Sequence, residues 1–396
     1  MINALIGRVL GPAATLALLA YLAGFPAEFT ATYAVLAAYM QFATAPLNPY
    51  AEHFRLREIL SGRAGRIGAG LAGLALILAA SAALVLTLGQ SIWVLTVVSA
   101  LGLGHLLVKA LAAKLRSNHH NTLAIALEFT LRPVLLLVLV VLAFTALGPS
   151  DAGLMWSFGL AGFATILVAS AMTGFASRNE PEPDARANPA PVTAGSSPWA
   201  FIFLGMLMAL TTQFEVFAMS WLVDTTTLAA YKVALQLASV CGIATNFLLM
   251  NNLRSLYAND PTSENYRVVF RKIRYQTFLA SAIFATAFVT LGYTLPLFWA
   301  QETWLLAGAG AVIFAISAAF GPIGNWLYAS GHLMPIFLAL IVTLVIKAVL
   351  IGGLHHTGSI SPQSLIAVYG AGVLIHNAMM YFGKSRYSSK NHGTKE

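Results

Sequence analysis

The feature that most constrains this chain is a succession of uninterrupted apolar runs, separated by short polar loops. A run of about twenty such residues, coiled as an α-helix, covers roughly 30 Å of hydrocarbon. Lipid offers no partner to backbone N–H and C=O groups, so a segment inside it must satisfy its own hydrogen bonds. The runs lack the period-two alternation of a membrane β-barrel. Helices are therefore expected at 8–25, 30–50, 67–88, 91–113, 123–147 and 154–176, and again at 199–222, 228–252, 272–296, 303–328, 334–354 and 362–383. Composition agrees, with 58% of residues hydrophobic and only 9% charged. A soluble domain carries about a quarter charged residues to cover its surface. A soluble enzyme, a nucleic-acid-binding domain and a disordered chain are excluded.

The charges that remain are unevenly placed. Arg55, Arg57, Arg63 and Arg66 follow span two, and Lys109, Lys114 and Arg116 follow span four. Arg178 and Arg186 follow span six, and Arg254, Arg267, Arg271, Lys272 and Arg274 follow span eight. Lys384, Arg386, Lys390 and Lys395 follow span twelve. The loops after the odd spans contain no Lys or Arg and carry Glu28, Asp151, Asp224, Glu302 and the pair His355–His356. The positive-inside rule places the even loops and both termini in the cytoplasm.

Residues 178–197 read RNEPEPDARANPAPVTAGSS, a flexible cytoplasmic linker. It divides the chain into a six-helix lobe at 1–177, a second at 198–384, and a tail at 385–396. Basic loops recur after the second span of each half, as in transporters built from related halves. No outward loop is long enough to fold alone, and no G-x-x-x-x-G-K-[ST] phosphate loop occurs. Cys241 is the sole cysteine, so no internal disulfide forms. The N-terminus runs directly into the first apolar segment, read as a retained anchor.

Ionisable groups at membrane depth cost about 2.5–3.5 kcal/mol each on insertion scales, so their presence is informative. Glu128 and Arg132 lie four apart in span five, where they share a helix face and can pair. The following Pro133 removes a backbone donor. Arg132 is then either a cation held for an anionic ligand or half of a self-neutralising pair. Glu215 sits deep in span seven with no basic residue four away. It reads as a proton or sodium site, or as the partner of a cation on another helix. Lys232, one turn into span eight, either faces a cavity or snorkels to the interface. Lys347, deep in span eleven, has no acid on its own helix. Arg132, Lys232 and Lys347 are the basic residues not assigned to cytoplasmic loops or ends. Converging, they would suit a phosphate or pyrophosphate.

Other signals are weaker. His105 and His376 read as buried, hydrogen-bonded histidines. The pairs His119–His120 and His355–His356 lack ligand spacing, and no metal site is expected. Gly321-Pro322 interrupts span ten, with Gly331 closing it, and is a candidate hinge. Trp199, Trp221, Trp299 and Trp304 fall near predicted interfaces, where anchoring is the default.

The stretch QFEVFAMSWLVDTTTLAAYKVALQLASV resembles spans seven and eight of Wzx-type polysaccharide flippases, of the multidrug/oligosaccharidyl-lipid/polysaccharide (MOP) exporter superfamily. Glu215, Tyr231 and Lys232 occupy the places of that family's acid, tyrosine and base. AAFGPIGNWLYASGH resembles its span-ten segment through Gly321, Pro322, Leu327 and Gly331. KALAAKLRSNHHNTLAIALEFTLRPVLLLVL is similar to its span-four to span-five region, with Glu128 and Arg132. The likeness covers most of residues 100–380. The family's arginine, "LG" and later glycine lie between spans one and two, whereas Arg8, Leu10 and Gly11 come at the very start of the chain. They receive no function.

The resemblance implies an all-α membrane protein of about twelve helices, in two six-helix lobes around a central cavity. It implies a flippase rather than an enzyme. The cargo would be an undecaprenyl-pyrophosphate-linked oligosaccharide, moved to the outer leaflet of the bacterial inner membrane. Arg132, Lys232 and Lys347 would bind it, Glu128 and Tyr231 would support them, and Glu215 would couple transport to a proton or sodium gradient without a cofactor. Membrane lipids, a polysaccharide polymerase and glycosyltransferases would be partners. The alternatives are a small-molecule exporter of the drug/sodium antiporter or major-facilitator kind, and a membrane scaffold of a polysaccharide complex. The loop FRLREILSGRAGR lacks the major-facilitator G-x-x-x-D-R-x-G-R-R pattern, and three intramembrane cations favour an anionic cargo.

Overall fold

The computed structural model describes residues 2–44, 47–49, 67–87, 92–117, 123–124, 126–178, 197–258, 263–294 and 301–392. Among these the chain is helical and contains no strand. Six long helices come first: α1 (Ile2–Leu22), α2 (Ala27–Thr44), α3 (Ile67–Thr87), α4 (Ile92–Ser117), α5 and α6 (Asp151–Arg178). Helix α5 begins as a π-helical turn, Ala126–Leu131, and continues as Arg132–Leu147. Six more follow: α7 (Pro198–Leu222), α8 (Thr225–Ala258), α9 (Glu264–Thr294), α10 (Gln301–Phe320), α11 (Met334–His356) and α12 (Pro362–His392). Each expected span corresponds to one of these helices. Most of the basic loop after span two, His119–His120, Trp299 and nearly all of the linker lie outside the described residues.

Among the described residues, seven segments are long and apolar enough to cross a bilayer: Trp93–Ala112, Ala126–Leu147, Asp151–Met172, Pro198–Leu222, Gln301–Tyr328, Met334–His356 and Pro362–Ser385. Several helices outrun their apolar segment. Helix α9 starts eight residues before the expected span, so Arg267 and Arg271 are helical rather than in a loop. The last two turns of α12 likewise take in Lys384, which the sequence placed beyond the span.

The chain forms two compact units. The first holds α1–α6 with Ser197–Ala209, and the second holds the chain from Leu210 onward. In the first, α4 packs on α6 and α2, and α1 packs along α5. Val108, Leu111, Ala112, Leu115, Ala124, Leu127 and Ala169 form one of its cores. In the second, α8, α9 and α10 pack together, while α12 lies against α10 and α11.

Two helix irregularities have causes in the sequence. Pro133 cannot donate to the Phe129 carbonyl four residues earlier, and its ring crowds that oxygen. The preceding turn widens into the π geometry. Helix α1 crosses there at Gly11, where a Cβ would overlap the Phe129 carbonyl oxygen. Gly11 thus lies inside α1, at a contact with α5. The second irregularity is the end of α10. Gly321 takes φ +76°, and a short helix, Ile323–Ala329, follows before Gly331 turns the chain again at φ +76°. Arg274 of α9 lays its side chain on Gly321 and donates Nε–H to the Ala319 carbonyl at 2.5 Å. A cation there suits a helix C-terminus. The candidate hinge is a complete interruption rather than a kink.

Candidate functional site

The second unit holds a buried ion pair. Lys347 of α11 meets Glu215 of α7 at 2.7 Å, with side chains 3% and 0% exposed. The Lys347 ammonium also donates to the Thr211 carbonyl at 2.8 Å, one turn before Glu215. The Tyr369 ring lies 5.4 Å from it. Gly372 of α12 leaves room for the lysine stem, because a Cβ there would meet Lys347 Cε. Tyr231 is fully buried and close enough to Glu215 to act on it electrostatically. Glu215 Oε2, Tyr231 Oη and Thr343 Oγ1 are buried without a hydrogen-bond partner among the described residues. Glu215 and Lys347 are therefore not lone charges. Each lacks a partner on its own helix, as the sequence indicates, and finds one on another.

Lys232, next to Tyr231 on α8, is 5% exposed, so its chain is covered by protein rather than extended along an exposed face. No ion pair joins it to a described residue. His376 of α12 reaches the Ala339 backbone. Farther along α12, Asn377 donates to Ser317 at 2.9 Å. A cavity of about 250 Å³ opens there, lined by Phe314, Ser317, Thr277, Asn377 and the Gly321-Pro322 break.

The first unit holds the second buried pair, and here the sequence reading is corrected. Glu128 does not pair with Arg132. It meets Lys109 of α4 at 3.2 Å, with side chains 1% and 4% exposed. Residues four apart share a helix face, which permits a pair without requiring one. Lys109 is itself a correction, since the sequence placed it in the loop after span four. It lies inside the apolar segment Trp93–Ala112. Its head reaches an acid on another helix, which composition along one helix does not reveal.

Arg132 has no ion pair or hydrogen bond with a described residue, and its Nη1 is buried. It borders a cavity of about 10 Å³ with His105, Glu128 and Thr165. That is room for roughly one water. Tyr33 and His105 lie close enough to feel its charge. His105 bonds Asn48 at 3.0 Å, in keeping with a hydrogen-bonded histidine. Trp304 is a further correction: it is 8% exposed and stacks on Phe288 at 6.1 Å rather than facing an interface. Trp199 and Trp221 are exposed.

Outside the spans, Asp224 caps α8. Its Oδ1 accepts from the Thr227 N–H at 2.6 Å and the Thr226 hydroxyl at 2.8 Å. These donors hold its carboxyl below the usual carboxylate range.

No family model and no curated protein matches the chain. Solved structures do. An outward-facing multidrug resistance MATE transporter of the MOP superfamily aligns over 98% of this chain and 94% of its own, at TM-score 0.66 and 13% identity. A mutant of the Vibrio cholerae MATE transporter VcmN aligns over 100% and 95%, at TM-score 0.64 and 15% identity. The chain has the MATE fold. A third match, at TM-score 0.63, 13% identity and 98% and 94% coverage, is a MOP superfamily transporter from Pyrococcus furiosus. Its binding pocket is described as having reverse polarity, suggesting a different function. The resemblance to MOP exporters noted in the sequence thus holds at the level of fold. Sequence reasoning missed Lys109, Thr211 and Tyr369. For Lys109 a signal was available, because the apolar run around it continues to Ala112–Ala113 without a turn residue.

Proposed function

We propose that this chain is a transporter for an anionic, lipid-linked cargo. The cargo we infer is an undecaprenyl-pyrophosphate-linked oligosaccharide, moved from the inner to the outer leaflet of a bacterial inner membrane. The observation that carries this reading is the balance of internal charge. Lys109 and Lys347 are matched by Glu128 and Glu215, whereas Arg132 and Lys232 have no acidic partner among the described residues. An unmatched cation at membrane depth costs about 2.5–3.5 kcal/mol on insertion scales, and an anion would offset it. A cationic drug would be repelled. The Pyrococcus furiosus neighbour, whose reverse pocket polarity is described as suggesting a different function, is in keeping with one fold hosting more than one function.

Glu215 is the proposed coupling residue. A proton or sodium ion arriving at its carboxylate weakens its hold on Lys347 and frees a cation for the cargo. Lys347 and Lys232 then bind phosphate oxygens, with Tyr231 supporting the site, and the Gly321-Pro322 break gives the second unit a place to bend. Binding that differs between inward and outward states shifts their populations. A polymerase and glycosyltransferases are the proposed downstream and upstream partners.

A second reading is a small-molecule exporter, favoured by the multidrug MATE neighbour. Lipid extracts from cells with and without the protein separate the two. Accumulated pyrophosphate-linked oligosaccharide and lost surface polymer are expected on deletion, and again with Lys232→Ala at normal protein levels. Unchanged lipid and polymer, in a host with no second flippase, would overturn the proposal in favour of the exporter or a scaffold.

A further inference from the structure

Helix α9 carries Arg267, Arg271 and Arg274 at i, i+4 and i+7, which places them on one stripe. Arg271 and Arg274 are exposed, and the Arg267 side chain is 45% exposed. Lys384 reaches the same place from α12. Its ammonium sits 3.8 Å over the Phe270 ring and 5.5 Å from the Trp326 ring, within electrostatic reach of Arg274 and Arg267. Among the described residues, Glu264 lies 3.7 Å from Arg267 at the edge of the cluster. Four cations held together form a site of positive potential.

The i, i+4 row that runs through Arg267 and Arg271 then turns apolar as it winds round α9. Tyr275, Leu279 and Ile283 on that row are 68%, 46% and 62% exposed, and Phe278 beside it is 42% exposed. Charge at one end and bare hydrocarbon along the adjoining turns match an amphiphile with an anionic head.

We propose that the α9–α12 junction binds the phosphate headgroup of an anionic phospholipid, whose acyl chains lie along the exposed apolar side of α9. This rests on the membrane-spanning fold and is independent of the cargo. Arg271 and Lys384 contact the phosphate, and Arg267 lends charge. Arg274 adds a structural consequence. It also holds the Ala319 carbonyl and covers Gly321, so a headgroup that orders Arg274 steadies the break at the end of α10.

The test uses the purified full chain in detergent with equal amounts of phosphatidylglycerol and phosphatidylcholine, read by native mass spectrometry. Phosphatidylglycerol should be retained at least tenfold more often. The Arg271→Gln/Lys384→Gln double variant should lose that preference, and excess inorganic phosphate should not displace the lipid. If the double variant melts early, Arg271→Gln alone serves, since its side chain is exposed. Hydrogen exchange at 319–331 should slow with phosphatidylglycerol and not with phosphatidylcholine. Equal retention of both lipids, or a preference the variants leave intact, overturns the site. Displacement by inorganic phosphate overturns the lipid in favour of a soluble anion.

Discussion

The two units solve one problem differently. Each buries a lysine against a glutamate, and each uses its fifth helix to do so. In the second unit, Lys347 of α11 pairs with Glu215 of α7, and among the described residues no second cation is paired with that acid. In the first, Glu128 of α5 pairs with Lys109 of α4, and Arg132 stands four residues along the same helix with its Nη1 unserved. The first unit therefore carries a spare cation beside its pair. The second carries a tighter pair, at 2.7 Å against 3.2 Å, with an added bond to the Thr211 carbonyl. The lesson is that a buried charge is fixed by what surrounds it in space, and that redundancy changes what its loss costs.

The largest expected effect comes from breaking the pairs one side at a time. Removing one partner of a buried pair leaves an uncompensated charge, at a cost of about 3–5 kcal/mol. Glu215→Gln should fall in that range, and Glu215→Gln/Lys347→Met should recover much of it. Lys109→Met should cost less, about 1–3 kcal/mol, because Arg132 can turn to Glu128. Denaturation in detergent, compared across the three variants, checks this. Equal losses for Glu215→Gln and Lys109→Met would show that Arg132 is no substitute.

Smaller changes probe how closely the helices approach in each unit. Gly11→Ala pushes a methyl into the Phe129 carbonyl, a backbone atom that cannot step aside. Gly372→Ala pushes one into Lys347 Cε, the end of a flexible chain. Overpacking costs about 1–3 kcal/mol, and Gly11→Ala should sit at the upper end. Gly372→Ala should instead disturb the Glu215 pair and so alter transport more than melting. A melting loss for Gly372→Ala that matches Gly11→Ala, with transport intact, would sink that distinction.

The smallest effect belongs to the α8 cap. The Asp224 carboxyl is held below its ordinary range in the fold, so its stabilisation is present above the unfolded value and fades as pH falls through the folded one. Asp224→Ala should lower the melting temperature slightly at neutral pH. The gap to the parent protein should close in acid. A gap that stays constant across the titration would mean the cap does not work through its charge.

The sequence by itself determined the helices and their number. Apolar runs of membrane length leave the backbone no other way to satisfy its hydrogen bonds, so each of the twelve runs corresponds to a long helix among the described residues. It also marked the break at Gly321-Pro322 and the irregularity before Pro133, because a missing donor and a positive φ are properties of single residues. It singled out Glu215 and Lys347 as costly charges without local partners. Tertiary structure alone decided that they meet each other. Pairing between helices depends on rotation and crossing, to which one-dimensional spacing is blind. That is why Glu128 went to Lys109 rather than Arg132, and why Trp304 packs inside. Local spacing permits a pair within one helix, and here the acid is taken by a cation on another.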